Sequence, residues 1–436
     1  MHLRTHTSIF CYALAAALMF LVCACGDEDR PVRTGTGTQP IPEEQGFYGW
    51  ETVILRNSFT RIDVIPELGG KIIGYQPIGD KILWHNPEHE GEIDVFASND
   101  IGEDFVNIGG AKAWPAPHDR WGGPPDRVLD GAPYDCVASA ATLTVTGPAD
   151  TESGRTGIQF EHTYSLMPQS TYVTLDLSMT NRSSENRTWS LKHLVTLPAD
   201  RHAMLYVPVE SDRDWDVIAG TENPNQWLGV GNGLFRSHFD ERDGGVGLNV
   251  RDGWVVWFDA ENSVAFALMF TPEPENSLPD GGYAVEISST GLRSNQAGQP
   301  DSSASYMEVG IPGPLTDLSP GERSSMTVTW ASCRCSAVSR VTPVGVISVE
   351  PFINSDLSIS MQCGTFFTGH LEEFYYDKDG NQTSVRRLME VSPLSEIRLW
   401  RTDLLIPQGT VGIQYRIRNR EGEILGVLAD IPLPSQ

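Results

Sequence analysis

Positive charge is what this 436-residue chain has least of: Lys and Arg total 31 against 57 Asp and Glu, giving a formal net charge of −26. Nucleic acids and anionic membrane surfaces are polyanions, so both are poor partners and no nucleic acid is expected. A long amphipathic helix is also missing. No repeat of fixed period appears, which argues against a propeller. Neither a phosphate-cradling glycine-rich loop nor a Gly-x-Ser-x-Gly elbow is present, so no cofactor is expected. The only long apolar run, Ile9 to Ala24, falls short of the roughly 20 residues of a membrane-spanning helix. What the chain does have is 42 glycines, 29 prolines and 40% hydrophobic residues. That content can bury a large core and reads as short strands between frequent turns.

Arg4 precedes the apolar run, which therefore reads as a secretory signal peptide over residues 1–24. The run ends Leu21-Val22-Cys23-Ala24-Cys25-Gly26, which resembles a bacterial lipoprotein lipobox with Cys25 as the acylated residue. The resemblance implies a protein anchored in the lipid bilayer of a bacterial envelope. Because Gly26 rather than Asp follows Cys25, it also implies the outer membrane. Residues 25–45 are polar and read as a flexible tether.

Four cysteines remain beyond the signal and the acylated Cys25: Cys136, Cys333, Cys335 and Cys363. In an exported protein they fit two disulfides. Cys333 and Cys335 point to one face of a strand and would be strained if bonded to each other, so each is expected to take one of the other two. The Cys-x-Cys pair lacks companion ligands at zinc-like spacing. His85 and His89 flank Asn86-Pro87-Glu88, and the proline forbids a helix that would put them on one face, so no metal is expected.

The dominant period is two. Val173, Leu175, Leu177 and Met179 alternate with polar residues, as do Met326, Val328 and Trp330, and similar runs occur at 60–65, 141–146, 254–258 and 263–270. These are half-buried antiparallel strands. Residues 340–346 carry Pro343 and Gly345 and read as a junction. Beyond it, residues 345–436 show a second strand series with Asp379-Gly380 and Glu421-Gly422 turns, expected to form a small β-sandwich of the immunoglobulin or fibronectin type.

Three segments between Phe47 and Ala337 carry a resemblance. Asn57 to Ile73, with Pro66-Glu67-Leu68-Gly69-Gly70, looks like the opening of galactose mutarotase-like domains. Asn107 to Asp126 is similar to a motif of an uncharacterised bacterial branch of that aldose 1-epimerase superfamily. Leu318-Ser319-Pro320-Gly321-Glu322 resembles the turn before a late strand. The resemblance implies an all-β chain whose residues 46–338 form a large antiparallel supersandwich.

Members with that activity interconvert sugar anomers, with a His acid at the ring oxygen and a Glu base at the anomeric hydroxyl, since ring opening must add and remove a proton together. The corresponding acid position holds His193, on one alternating face with Trp189, Leu191 and Val195, and a hydrogen-bonded core histidine is the competing reading. The base position is Glu308, which shares a face with Tyr306, with Glu286 as a weaker substitute; a solvated strand residue is the alternative. The loop from Lys112 to Asp126 holds Pro115, Pro117, Pro124 and Pro125, and should be well ordered. Its Trp114 and Trp121 can stack on a pyranose, while Lys112, His118, Asp119 and Arg120 can bond hydroxyls. Equally, the tryptophans can plug one end of the sandwich.

Three functions stay open: an aldose 1-epimerase-like enzyme, a carbohydrate-binding module without catalysis, and a structural or adhesive envelope protein. A polysaccharide lyase would want a basic cleft, against which the net charge argues.

Overall fold

The computed structural model describes residues 46–94, 106–121, 126–139, 141–152, 154–220, 225–294, 300–301, 304–354, 356, 358–402 and 404–433. The signal, Cys25 and the tether lie outside these, as do Gly122, Gly123, Pro124 and Pro125 of the proline-rich loop. Among the described residues there is no α-helix, and the helical turns are two short 3-10 turns, His118–Arg120 and Glu275–Ser277. No helix there is long and apolar enough to cross a membrane.

Two ten-stranded antiparallel sheets form the body of the protein. The first runs Val53–Arg56, Thr60–Ile65, Lys71–Pro77, Ala111–Ala116, Arg187–Pro198, Tyr306–Pro312, Val285–Ser289, Gly244–Leu248 and Trp215–Ala219, with Thr316–Leu318 also paired to Arg187–Pro198. The second runs Trp227–Gly231, Leu234–His238, Ala203–Pro208, Trp254–Asp259, Val264–Phe270, Arg323–Arg334, Val173–Asn181, Ile158–Leu166, Thr142–Thr146 and Asp135–Ala138. The period-two segments supply the core between them. Val173, Leu175, Leu177 and Met179 of one sheet share a cluster with Val195, Leu197, Val309 and Ile311 of the other. Burying each such side chain contributes roughly 1.5–3 kcal/mol. Trp330 is wholly buried at the centre, its ring 5.3 Å from Tyr75 and 5.6 Å from Phe266.

The Gly109-Gly110 pair marks where the chain enters the first sheet beside Lys71–Pro77. Both have positive φ, 89° and 73°, and a Cβ at either would lie 2.3 Å from a backbone oxygen, of Trp84 and Ile72 respectively. Only glycine permits that approach.

Residues 340–432 form two further four-stranded antiparallel sheets. One is Arg340–Thr342, Gly345–Ile353, Ile359–Thr365 and Ile397–Arg401; the other is Gln382–Val391, Gly369–Tyr376, Gly412–Arg418 and Ile424–Pro432. The segment 340–346, expected as a junction, is the first hairpin of this unit, because Pro343 and Val344 make the turn between its paired strands. Between the sheets Glu373, fully buried, accepts hydrogen bonds from Tyr375 (2.8 Å) and Tyr415 (2.9 Å) and pairs with Arg401.

The second large sheet is apolar on its outer face too. Trp254, Val256, Phe258, Ala265, Ala267 and Ala331 share one buried cluster with Val344, Ile347, Met361 and Phe366 of the C-terminal sheets. Backbone bonds cross the junction, from Thr171 N–H to the Phe366 carbonyl (2.9 Å) and from Thr368 N–H to that of Gln169 (3.0 Å).

The expected disulfides are not formed: no bond joins Cys136, Cys333, Cys335 and Cys363. Cys136 and Cys333 lie in one sheet with three strands between theirs, four steps of about 4.8 Å, whereas a disulfide needs Cα atoms within about 7 Å. Cys333, Cys335 and Cys363 do meet at the junction, and burial pushes the Cys333 and Cys363 thiols up.

Candidate functional site

The face of the first sheet that points away from the core is populated by polar residues. On Ala111–Ala116 it carries Lys112 and Trp114, on Arg187–Pro198 it carries Lys192, Leu194 and Thr196, and on Tyr306–Pro312 it carries Tyr306, Glu308 and Gly310. Register places Glu308 opposite Thr196, Gly310 opposite Leu194 and Glu286, and Trp114 opposite Lys192. Gly310 leaves the floor open at its centre, where an added Cβ would sit 2.8 Å from Lys192 Cε.

Charges on this face are closely matched. Lys192 Nζ donates to Glu286 Oε2 at 2.6 Å. Lys112 Nζ lies 3.7 Å from Glu308 Oε2, bonds Asn107 Oδ1 at 3.2 Å and stands 4.2 Å over the Trp114 ring. Thr196 Oγ1 donates to the same Glu308 oxygen at 3.3 Å. Lys71 lies 3.9 Å from Asp130, and burial lowers it to about 8 against the opposing pull of that carboxylate.

The strand Ala111–Ala116 runs on through Pro117 into the turn His118–Arg120. The His118 ring is 5.4 Å from Trp114 and 6.1 Å from Trp121, both edge-on. Burial first, then the nearby Lys192, pushes His118 down to about 4, while Glu308 pulls the other way. His118 is therefore within electrostatic reach of both Lys192 and Glu308. Burial raises the Asp280 carboxyl, with the charge of Lys192 acting against it.

Among the described residues, three polar atoms around Lys192 and Glu308 are buried without a hydrogen-bond partner, His118 Nε2, Trp121 Nε1 and Glu286 Oε1, as is Asn107 Nδ2 beside Lys112. Unsatisfied buried groups cost about 1–3 kcal/mol each, so a cluster of them marks a place built for something else to bond.

Sequence reasoning fared unevenly on individual residues. Glu308, Tyr306, Lys112 and His118 meet at this face, with the Tyr306 ring 4.6 Å from Trp84 and tilted by 35°. Trp114 is a wall rather than a platform: it is 4% exposed, its Nε1 donates to Asp130 Oδ1 at 2.7 Å, and Lys112 covers its ring. Trp121 is only half-buried and is the better placed of the two for stacking. His193 is a correction. It pairs with Ile311 and so points into the inter-sheet core, opposite to Glu308, with its ring 5.8 Å from Trp330. Burial, followed by nearby His162, drives it to about 3, and both line a cavity of about 10 Å³, room for about one water. The acid role does not fit there. Lys192 was missed, although a signal existed. The chain has five lysines, Lys71, Lys81, Lys112, Lys192 and Lys378, and three of them are buried on this face.

No family model matches the chain, and no curated protein does. Among solved structures it is similar to a galactose mutarotase-like protein from Lactobacillus casei, at 10% identity over 64% of this chain and 99% of that one, with a TM-score of 0.44. It is also similar to a galactose mutarotase related enzyme from Lactobacillus acidophilus, at 12% identity over 64% and 96%, TM-score 0.42. A third is a TPR-domain containing protein from Parabacteroides distasonis, at 17% identity over 68% of this chain and 52% of that one, TM-score 0.43. This chain spans about half the length of the third.

Proposed function

We propose that the outer face of the first sheet binds a carbohydrate, in a protein held to a bacterial outer membrane through an acylated Cys25. The three partnerless polar atoms carry this reading. His118 Nε2, Trp121 Nε1 and Glu286 Oε1 include a donor, an acceptor and a ring nitrogen that can be either. Hydroxyls both donate and accept, so one sugar satisfies all three. The half-buried Trp121 ring suits the C–H face of a pyranose.

Binding is favoured over catalysis by the state of His118. Burial lowers its pKa to about 4 and so keeps the imidazole neutral at pH 7, which makes it a hydrogen-bonding group and a poor acid. Anomer exchange stands as the second reading because Glu308 has an ammonium, Lys112, at 3.7 Å. In that reading Glu308 takes the anomeric hydroxyl proton, the ring C–O bond breaks to give the aldehyde, and the ring oxygen takes a proton from Lys112.

Calorimetric titration with a panel of neutral monosaccharides tests the binding. At least one sugar should bind, and Trp121→Ala and His118→Ala should each weaken it about five- to tenfold, the worth of one hydrogen bond or one stacked ring. A panel in which nothing binds sinks the proposal. Exchange followed by NMR tests the second reading: Glu308→Gln should slow it about 10²–10⁴-fold, and a wild type no faster than the spontaneous rate removes it.

A further inference from the structure

The C-terminal unit carries an exposed surface that plays no part in the site above. Its sheet Arg340–Thr342, Gly345–Ile353, Ile359–Thr365, Ile397–Arg401 buries Ile359, Met361, Ile397 and Leu399 on one side. On the other side Phe352 pairs with Ser360, and Ser360 with Trp400, so the three form one row across three strands. Directly paired residues project from the same face. Phe352 is 63% and Trp400 66% exposed, although large aromatic side chains are ordinarily covered. A neighbouring row holds Val349, 45% exposed, opposite Gln362, which in turn is opposite Arg398.

Val349 and Phe352 are three residues apart and would face opposite sides of a regular strand. A register shift between them turns both outward. Bulges re-aim side chains in this way, and here one spends its effect on exposing a phenyl ring.

We propose that this face is a second carbohydrate site, separate from the one in the large sheets, and that it takes a neutral pyranose polysaccharide. The two rings stand two inter-strand steps apart, about 10 Å at about 4.8 Å per step, which is about the length of a disaccharide unit. Between and beside them lie a hydroxyl, an amide and a guanidinium, Ser360, Gln362 and Arg398. Apolar rings alternating with hydrogen-bonding groups match the alternating C–H faces and hydroxyl rims of a sugar chain. A protein partner would want a continuous apolar patch, and Ser360 interrupts this one. The charge on this face is already matched, since Arg398 bonds Glu396 at 2.9 Å. An uncharged polymer is the ligand that leaves that pair intact, and the net charge of −26 disfavours an acidic one.

Affinity electrophoresis of the full chain through gels containing β-glucan, xylan, mannan or, as an acidic control, alginate tests this. At least one neutral polymer should retard the wild type, and alginate should not. Trp400→Ala and Phe352→Ala should each weaken retardation about tenfold, with melting temperatures unchanged because both side chains are exposed. His118→Ala should leave retardation as it was, and Trp400→Ala should leave monosaccharide titrations as they were, so failure of either site is distinguishable from failure of the other. Retardation by no neutral polymer, or retardation that survives the double variant, overturns the proposal. So does sedimentation showing that the wild type self-associates through this face while the double variant is monomeric.

Discussion

At the scale of single residues, buried histidines give the molecule a defined response to acid. Burial lowers His162 to about 4 and His193 to about 3, against about 6.5 for an unfolded histidine. A depressed pKa means that the unfolded state takes up the proton first. The neutral rings thus contribute stability that is complete above about pH 6.5 and is lost as pH falls from there toward 4 and then 3. The slope is roughly 1.4 kcal/mol per pH unit for each histidine. Melting temperature should therefore drop steadily between pH 6.5 and 4, and His193→Phe should make that drop shallower. An equal slope in the variant would show that carboxylate titration alone sets the acid limit. His193 also shows what alternation can and cannot tell. Its grouping with Trp189, Leu191 and Val195 was readable, but Lys192, Leu194 and Thr196 on the other face are equally buried, at 3%, 3% and 0%. Which of two covered faces holds the chemistry depends on the partner sheet.

At the scale of elements, the Asn107-to-Asp126 motif does two separate jobs. Its start, Gly109-Gly110, lets Ala111–Ala116 join the first sheet, and the turn after that strand brings His118 against Trp114 and Trp121. Gly110→Ala should cost about 2 kcal/mol or more, because the new Cβ meets the Ile72 carbonyl at 2.3 Å and the positive φ adds strain. Urea unfolding measures this; a loss under about 0.5 kcal/mol would mean that the neighbouring strand gives way freely. The prolines of the same motif were expected to make it well ordered. Pro115 lies within the strand, and Pro117 precedes the turn that holds His118.

At the scale of the whole molecule, the second large sheet is a shared wall. Its inner face closes the main core, and its outer face, with Trp254, Val256 and Phe258, is covered by the C-terminal sheets. A chain ending at residue 338 should therefore expose this wall and aggregate, even though it keeps every residue of the first sheet's site. Soluble, monomeric protein from that truncation, with an unchanged melting temperature, would refute the shared-wall account. The junction also explains why the cysteine reading went astray. An even number of cysteines suggested two bridges, but three of them line one apolar seam as thiols while Cys136 sits at the far edge of its sheet.

The sequence by itself determined the strands, because a two-residue period and glycine or proline turns are local properties. Thr60–Ile65, Val173–Asn181 and Val264–Phe270 lie where alternation put them. It also determined that Glu308 and Tyr306 share a face, since parity along a strand is local too. The tertiary structure alone decided that His118 rather than His193 comes within reach of Glu308's charge, that Trp114 is sealed beneath Lys112, and that Lys192 reaches Glu286 across Gly310. Each of these rests on contacts between residues far apart in the chain, set by sheet order and by which face each sheet turns inward, and no local period encodes either.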